Sequence, residues 1–406
     1  MRSSLRFLLI TAGLVFASAW ALGAGAAGEP GPKGAEFDRR FAEWKGILAE
    51  LYELRGEFRG APLSRQVELD ERYRKLLEEG EAMLPGLRAA AAAAYSEAPD
   101  SSSYPADFLL ATVYDGCLKR FYERAFPPAK LLLDHGDDRR FLVGWAGIAA
   151  FATGQFELAE KWLGRAKEEN VLAKYGRPWE ELGLGALRNC PFYKQAWKKE
   201  EAIRAAEAKA NQSPETWLPQ VLLRTNKGEI ELELFENEAP KSVTNFIALV
   251  EGGFYNGKPF YTVQGQPCAA AGGLVGPDGE VRHLVLPEGD RPKRVHFRGS
   301  VTMPPSGDER GEGTSQFYLL VLPQRSLNET STCVGRVVKG IDVLSQLRPT
   351  APKEFANAEP DKIDRIVEAK VVRKRNHPYE PKKVPEPKPG PVPPLPKPEL
   401  MMPLPK

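Results

Sequence analysis

The sequence predicts a multidomain chain: an N-terminal all-α region, then a closed β-barrel capped by helices, then a disordered proline-rich tail. Three observations carry that prediction. Over residues 35–211 apolar side chains recur at three- and four-residue steps, as on one stripe of a helix. Beyond Pro214 the period drops to two, with Ile230, Leu232 and Leu234 alternating with Glu229, Glu231 and Glu233. After His377 a proline falls at nearly every second or third position. With 406 residues, 42% of them apolar, the chain has material for two or three cores. A net charge of +2 exerts no general pull on nucleic acid or acidic lipid.

The elements follow in order. Arg2 and Arg6 precede an apolar run over 7–22, and Ala24-Gly25-Ala26 offers a small-x-small cleavage pattern. We read 1–26 as a signal peptide cut near Ala26, which sends the protein to the periplasm or the exterior of a bacterial cell. The alternative is an uncleaved anchor. The Gly/Pro-rich stretch 27–34 reads as a linker. Phe37, Phe41, Trp44, Leu48, Leu51 and Phe58 form the stripe of a first helix. Val67, Tyr73, Leu76 and Leu77 mark a second, and residues 84–95 a third. After a Ser/Pro break at 99–105 the helical pattern resumes. Residues 142–168 place small side chains where two antiparallel helices touch and Gly154 in the turn between them, and so resemble one tetratricopeptide repeat. No second copy appears at the 34-residue period of such arrays, which points to one helical hairpin inside the α-helical domain 35–211.

In the next domain, 217–373, Asn226-Lys227-Gly228 between apolar runs is a hairpin turn. Pro240 suits the first turn of a helix whose Val243, Phe246, Ile247 and Val250 face one way, and Gly252-Gly253 ends it. Short strands are expected over 260–263, 301–303, 317–322, 332–338 and 363–372, the pattern of a barrel closed by a few helices. The tail 374–406 lacks core-forming residues and reads as extended polyproline II, either a spacer or a docking peptide.

A series of separated motifs in 221–347 resembles the cyclophilins, a family of peptidyl-prolyl cis-trans isomerases. They are Val221-Leu222-Leu223 through Leu234, Ala239-Pro240-Lys241-Ser242-Val243-Thr244-Asn245-Phe246, Gly253-Phe254-Tyr255-Asn256-Gly257, Gly313-Thr314-Ser315-Gln316-Phe317-Tyr318-Leu319 and Val334-Gly335-Arg336-Val337. The resemblance implies an eight-stranded barrel with a helix at each end, and a groove that binds proline-containing peptides or protein clients. It also implies site residues. Phe260, Tyr261, Gln316, Phe317, Tyr318, Leu327 and Ser331 fall on substrate-binding positions, with Ser331 in place of the family histidine. The catalytic arginine position holds Thr262, so no catalytic residue of the family is intact. The pocket Phe and Met become roughly Pro267 and Cys268, the backbone-binding Gln becomes Ala270 or Ala271, and Pro304-Pro305-Ser306 replaces the substrate loop. Glu288, His296 and Gly299 match structural positions. Arg298, Arg310 and Arg325 stand on loops from which a guanidinium could approach the groove.

The four cysteines leave two readings open: Cys117 with Cys190 and Cys268 with Cys333 as disulfides, or four buried thiols. No Cys-x-x-Cys occurs and the His are scattered, so neither a metal nor a cofactor is expected. Two functions compete. One is an exported isomerase with a divergent site. The other is a non-catalytic module whose barrel, helical domain and tail bind proteins.

Overall fold

The computed structural model describes residues 31–99, 103–139, 141–263, 268–276, 280–286, 289–305 and 313–380. The expected signal peptide, residues 27–30 of the linker and the tail from 381 onward lie outside them, as do Gln264 to Pro267, Glu288, Ser306 and Arg310; residues 32–34 of the expected linker belong instead to the first helix, and Tyr379 of the expected disordered tail is buried in the sheet's core. The chain divides into two compact units, Met1–Ala146 and Gly147–Lys406.

The first unit is helical. Helix α1 (Pro32–Gly60) opens on a proline whose missing N–H costs nothing at a helix start. Its predicted stripe is the buried face, with Phe37, Phe41 and Trp44 ringed against Phe108 of α3 (Ser103–Leu118). The second and third predicted helices are one, α2 (Leu63–Glu97), which carries Pro85 in its interior. Nothing between Leu77 and Leu84 forms a turn, and Gly80 sits against Ile47 rather than ending the helix. Val67, expected on the buried stripe, is exposed. The pairs Arg65–Glu57 and Arg72–Glu50 register α1 and α2 antiparallel. Helix α4 (Tyr122–Asp134) completes the group, and α5 (Leu142–Ala152) spans the boundary between the units.

In the second unit α5 turns at Gly154, whose φ of 81° favours glycine, into α6 (Phe156–Glu168). A Cβ on Gly147 would stand 2.6 Å from Leu163 Cγ, so the small residues do mark the helix contact. A long helix, α7 (Arg177–Ala210), follows and packs on α6 through Phe156 and Tyr193, stacked at 5.2 Å.

The sheet comprises β1 (Gln220–Thr225), β2 (Gly228–Leu234), β3 (Cys268–Ala271), β7 (Ser300–Met303), β9 (Phe317–Leu320), β10 (Thr332–Lys339) and β11 (Ile366–Arg373), in the order β11-β1-β2-β10-β7-β9-β3, every pair antiparallel. Two small pairs stand apart: β4 (Leu274–Val275) with β5 (Val281–Arg282), and β6 (Val285–Leu286) with β8 (Gly313–Thr314). β1 and β2 meet at the predicted hairpin, with Thr225 opposite Gly228. Helices α8 (Pro240–Glu251) and α9 (Ile341–Gln346) place Val243, Phe246, Ile247, Val250 and Leu344 in the sheet's inner core.

The expected closed eight-stranded barrel is instead an open, curled sheet of seven strands. The predicted strand 260–263 forms no ladder. Gly257 and Phe260 donate to Ile366 and Asp364 on one side, while Tyr261 exchanges bonds with Ala270 on the other, so isolated bridges link the two edges. The disulfide alternative is excluded, because all four cysteines are free and buried.

Candidate functional site

Strand alternation decides which predicted site residues share a face. Ala269, Ala271, Phe317, Leu319 and Val301 point into the inner core, and so does Phe260. Cys268, Ala270, Tyr318 and Leu320 point the other way and gather with Tyr261, Val281 and Leu327 in an outer cluster. Phe260 and Phe317, expected to touch substrate, sit in the sheet's inner core with Phe246 and Tyr255. Tyr261, Tyr318 and Leu327 do come together.

The outer cluster is full. Gln316 Nε2 donates to the Tyr261 hydroxyl at 2.6 Å, and the Tyr318 hydroxyl donates to Gln316 Oε1 at 3.4 Å. All three side chains are at most 2% exposed. Space for the Tyr261 hydroxyl comes from Gly273, where a Cβ would stand 2.6 Å from it. Gly272 takes φ 82° and lies so close to Ser315 that Ser315 Oγ donates to its carbonyl at 2.9 Å. Burial pushes the Tyr261 and Tyr318 hydroxyls well above the usual phenol range, so both remain neutral. Val263 and Phe355 pack on the cluster from outside.

Thr262 is half-buried, and its N–H donates to Thr350 O at 3.1 Å. Neither described loop arginine supplies the missing guanidinium. Arg298 donates to Val321 O at 2.6 Å and to Ser345 Oγ at 2.7 Å, beside α9. Arg325 stacks at 4.5 Å over Phe192 of α7. The corner that carries Leu327 is a 3-10 turn, Arg325–Leu327, and Ser331 is tied to it by its N–H to Leu327 O at 2.9 Å. Ser331 is buried, with its hydroxyl 3.5 Å from that of Thr330.

Sequence reasoning missed the attachment of α7 to the sheet. Arg294 is buried and donates to Glu200 at 2.9 and 3.2 Å and to Glu207 at 2.6 Å, both on α7, and to Glu238 at 3.2 Å. Arg336 of β10 joins Glu207 at 2.8 Å to Glu233 of β2 at 2.5 Å. Burial alone would push the Glu200 carboxyl up, but the attraction of Arg294 and its hydrogen bonds outweigh that and hold it below the usual range. The only available sequence signal was the seven-residue spacing of Glu200 and Glu207, two turns apart on one helix face. Among the described residues no group of three His, Cys, Asp or Glu could hold a metal ion.

A family model described as "Cyclophilin type peptidyl-prolyl cis-trans isomerase/CLD" matches residues 220–371. A peptidyl-prolyl cis-trans isomerase of Helicobacter pylori is 36% identical over 134 residues, 31% of this chain and 78% of that protein. Peptidyl-prolyl cis-trans isomerase A of Dickeya dadantii is 33% identical over 164 residues, 38% of this chain and 85% of that protein. Among solved structures, a Cryptosporidium parvum cyclophilin type isomerase crystallised in the presence of the dipeptide Ala-Pro is 20% identical, covers 38% of this chain and 99% of its own, and aligns with a TM-score of 0.30.

Proposed function

The chain belongs to the cyclophilin-type peptidyl-prolyl cis-trans isomerase family, and from that premise we propose that its curled sheet binds proline-containing segments of other proteins while adding little to the rate of their isomerisation. Rotation about an X-Pro bond faces a barrier of ~20 kcal/mol. A catalyst lowers it by favouring the twisted amide, above all with a donor aimed at the prolyl nitrogen. The observation that carries the reading is Thr262 at the arginine position, with the neighbouring polar groups, Tyr261, Gln316 and Tyr318, bonded to one another beneath the surface. Loss of one preorganised donor costs ~3 kcal/mol, roughly 100- to 1000-fold in rate. Arg298 and Arg325 are engaged elsewhere. Gln316, kept from the family pattern, is what favours the second reading, a weak isomerase.

The rest of the proposal concerns place and partners. The segment 1–26 directs export, and the mature protein works outside the cytoplasm. An oxidising compartment would not force pairing of cysteines that are all buried. Burial pushes the Cys190 thiol up to about 12 and that of Cys333 up to about 11, leaving almost no reactive thiolate at neutral pH. The α5–α6 hairpin, read as tetratricopeptide-like, and the proline-rich tail offer further protein contacts.

Proline isomerisation measured on a blocked Ala-Ala-Pro-Phe peptide, beside a binding titration with the same peptide, tests the reading. Binding without a rate above buffer is expected. A rate within about ten-fold of an ordinary family member, abolished by Arg310→Ala, would overturn it and establish the enzyme.

A further inference from the structure

The 3-10 corner that presents Leu327 to the outer cluster is held from behind by α7. The Tyr193 hydroxyl donates to His296 O at 3.1 Å, and Gln324 N–H donates to the same carbonyl at 3.2 Å. Asn328 Oδ1 accepts from His296 N at 2.9 Å and sits 2.8 Å from His296 Nδ1. Phe192, the neighbour of Tyr193, lies under the Arg325 guanidinium at 4.5 Å. Both ends of the corner, Gln324 and Asn328, are thus bonded to one residue, His296, and that residue is bonded to the helix.

The ring of Phe297, next to His296, also packs on α7, 5.6 Å from Tyr193 and 5.0 Å from Trp197. A cavity of about 210 Å³ separates the α7 residues Phe192, Ala196 and Ile203 from Val295, immediately beside these contacts. Beside that cavity the helix holds the corner through Phe192 and Tyr193, while Tyr193 and Trp197 pack on Phe297. Further along α7 the Arg294 pairs fasten the helix to the sheet without touching the corner.

We propose that Phe192 and Tyr193 are positioning residues for the binding groove: α7 sets the height and orientation of the Arg325–Leu327 turn, and so the position of Leu327 against Tyr261 and Tyr318. The proposal deepens the peptide-binding reading and rests on it for its functional consequence. It assigns the helical part of this unit a role in peptide affinity, although no α7 side chain belongs to the outer cluster.

Four variants of the full chain test it: Tyr193→Phe, Phe192→Ala, Phe192→Tyr, and Glu207→Gln as a control that loosens α7 away from the corner. Two measurements are made, affinity for the blocked Ala-Ala-Pro-Phe peptide and hydrogen exchange at the amides of Asn328 and Ser331. Tyr193→Phe and Phe192→Ala should each weaken the peptide by about three- to ten-fold, the scale of one lost hydrogen bond or stacking contact. They should also speed exchange at Asn328 and Ser331 while leaving Leu223, in β1, unchanged. Phe192→Tyr, which keeps the ring under Arg325, should restore both. Unchanged exchange at the corner overturns the proposal. So does an equal effect from Glu207→Gln at a matched loss of melting temperature, because the role would then be general stability. If the unsubstituted chain binds no peptide, the reading of the previous subsection fails, while the exchange data still decide whether α7 positions the corner.

Discussion

Two sets of ion pairs in this chain use the same residue types and do different things. Along α1 and α2 the pairs Glu36–Arg39, Arg39–Glu43 and Arg65–Glu57 stand in solvent, with side chains about half exposed. Where α7 meets the sheet, Arg294 is 3% exposed, Glu200 5% and Glu207 8%. The exposed pairs exchange one hydrated arrangement for another and contribute little each. The buried set has given up its water, and its charges depend on one another completely. The difference teaches that a charged helix face in sequence is either a solvated surface or a docking face, and that burial decides which.

The largest expected effect breaks the buried set. Arg294→Ala leaves Glu200 and Glu207 with much of their partner charge gone, and should cost ~3–5 kcal/mol, read from native-state hydrogen exchange at β1 and β2 amides. Replacing the group together, Arg294→Met with Glu200→Gln and Glu207→Gln, should recover most of that loss, because no buried charge is then left unpaired. If Arg294→Ala costs no more than removal of an exposed pair, the distinction between the two sets collapses.

Next in size is acid sensitivity at the same junction. Burial holds the His296 imidazole down at about 4, partly offset by its bond to Asn328, so it is neutral in the folded protein at pH 7. In the unfolded chain it titrates near ~6.5. Between those values the unfolded state binds a proton that the folded state refuses, and stability falls as pH falls through that window. The loss amounts to ~3 kcal/mol by pH ~4, with nothing lost above pH ~7. His283, lowered in the same direction by burial, adds to it. A ring titration by NMR separates the two. A His296 imidazole that protonates near 6.5 in the folded protein would remove the effect.

The sheet and its core were legible in sequence because period two is a local signal. The Ile230, Leu232 and Leu234 alternation and the Asn226-Lys227 turn needed no distant information. The same alternation would have separated Phe260 from Tyr261 and Phe317 from Tyr318, but matching against a family pattern treated each run as one set of substrate contacts. The edge bridges at Tyr261 depend on Ala270 and Thr350, partners that only the folded curvature brings near. The docking of α7 was less legible still. Glu200 meets Arg294 across 94 positions, and within a Lys/Glu/Ala run nothing local distinguishes it from Glu201, which is exposed.

The smallest effect sharpens the comparison from its other side. Arg39 reaches both Glu36 at 2.8 Å and Glu43 at 2.7 Å, and its guanidinium charge is reinforced first by the Glu36 hydrogen bond. Even so it lies in solvent, where salt screens it and holding the long side chain costs entropy. Arg39→Ala should leave stability almost unchanged, any small loss being partly regained because alanine is the better helix former. The measurement is the thermal unfolding of the first unit's helices, followed by circular dichroism at low and high salt, with the shift shrinking as salt rises. A loss of several degrees that survives high salt would mean that three exposed charges on α1 behave as a cooperative network. Exposure would then no longer be enough to tell the two sets of ion pairs apart.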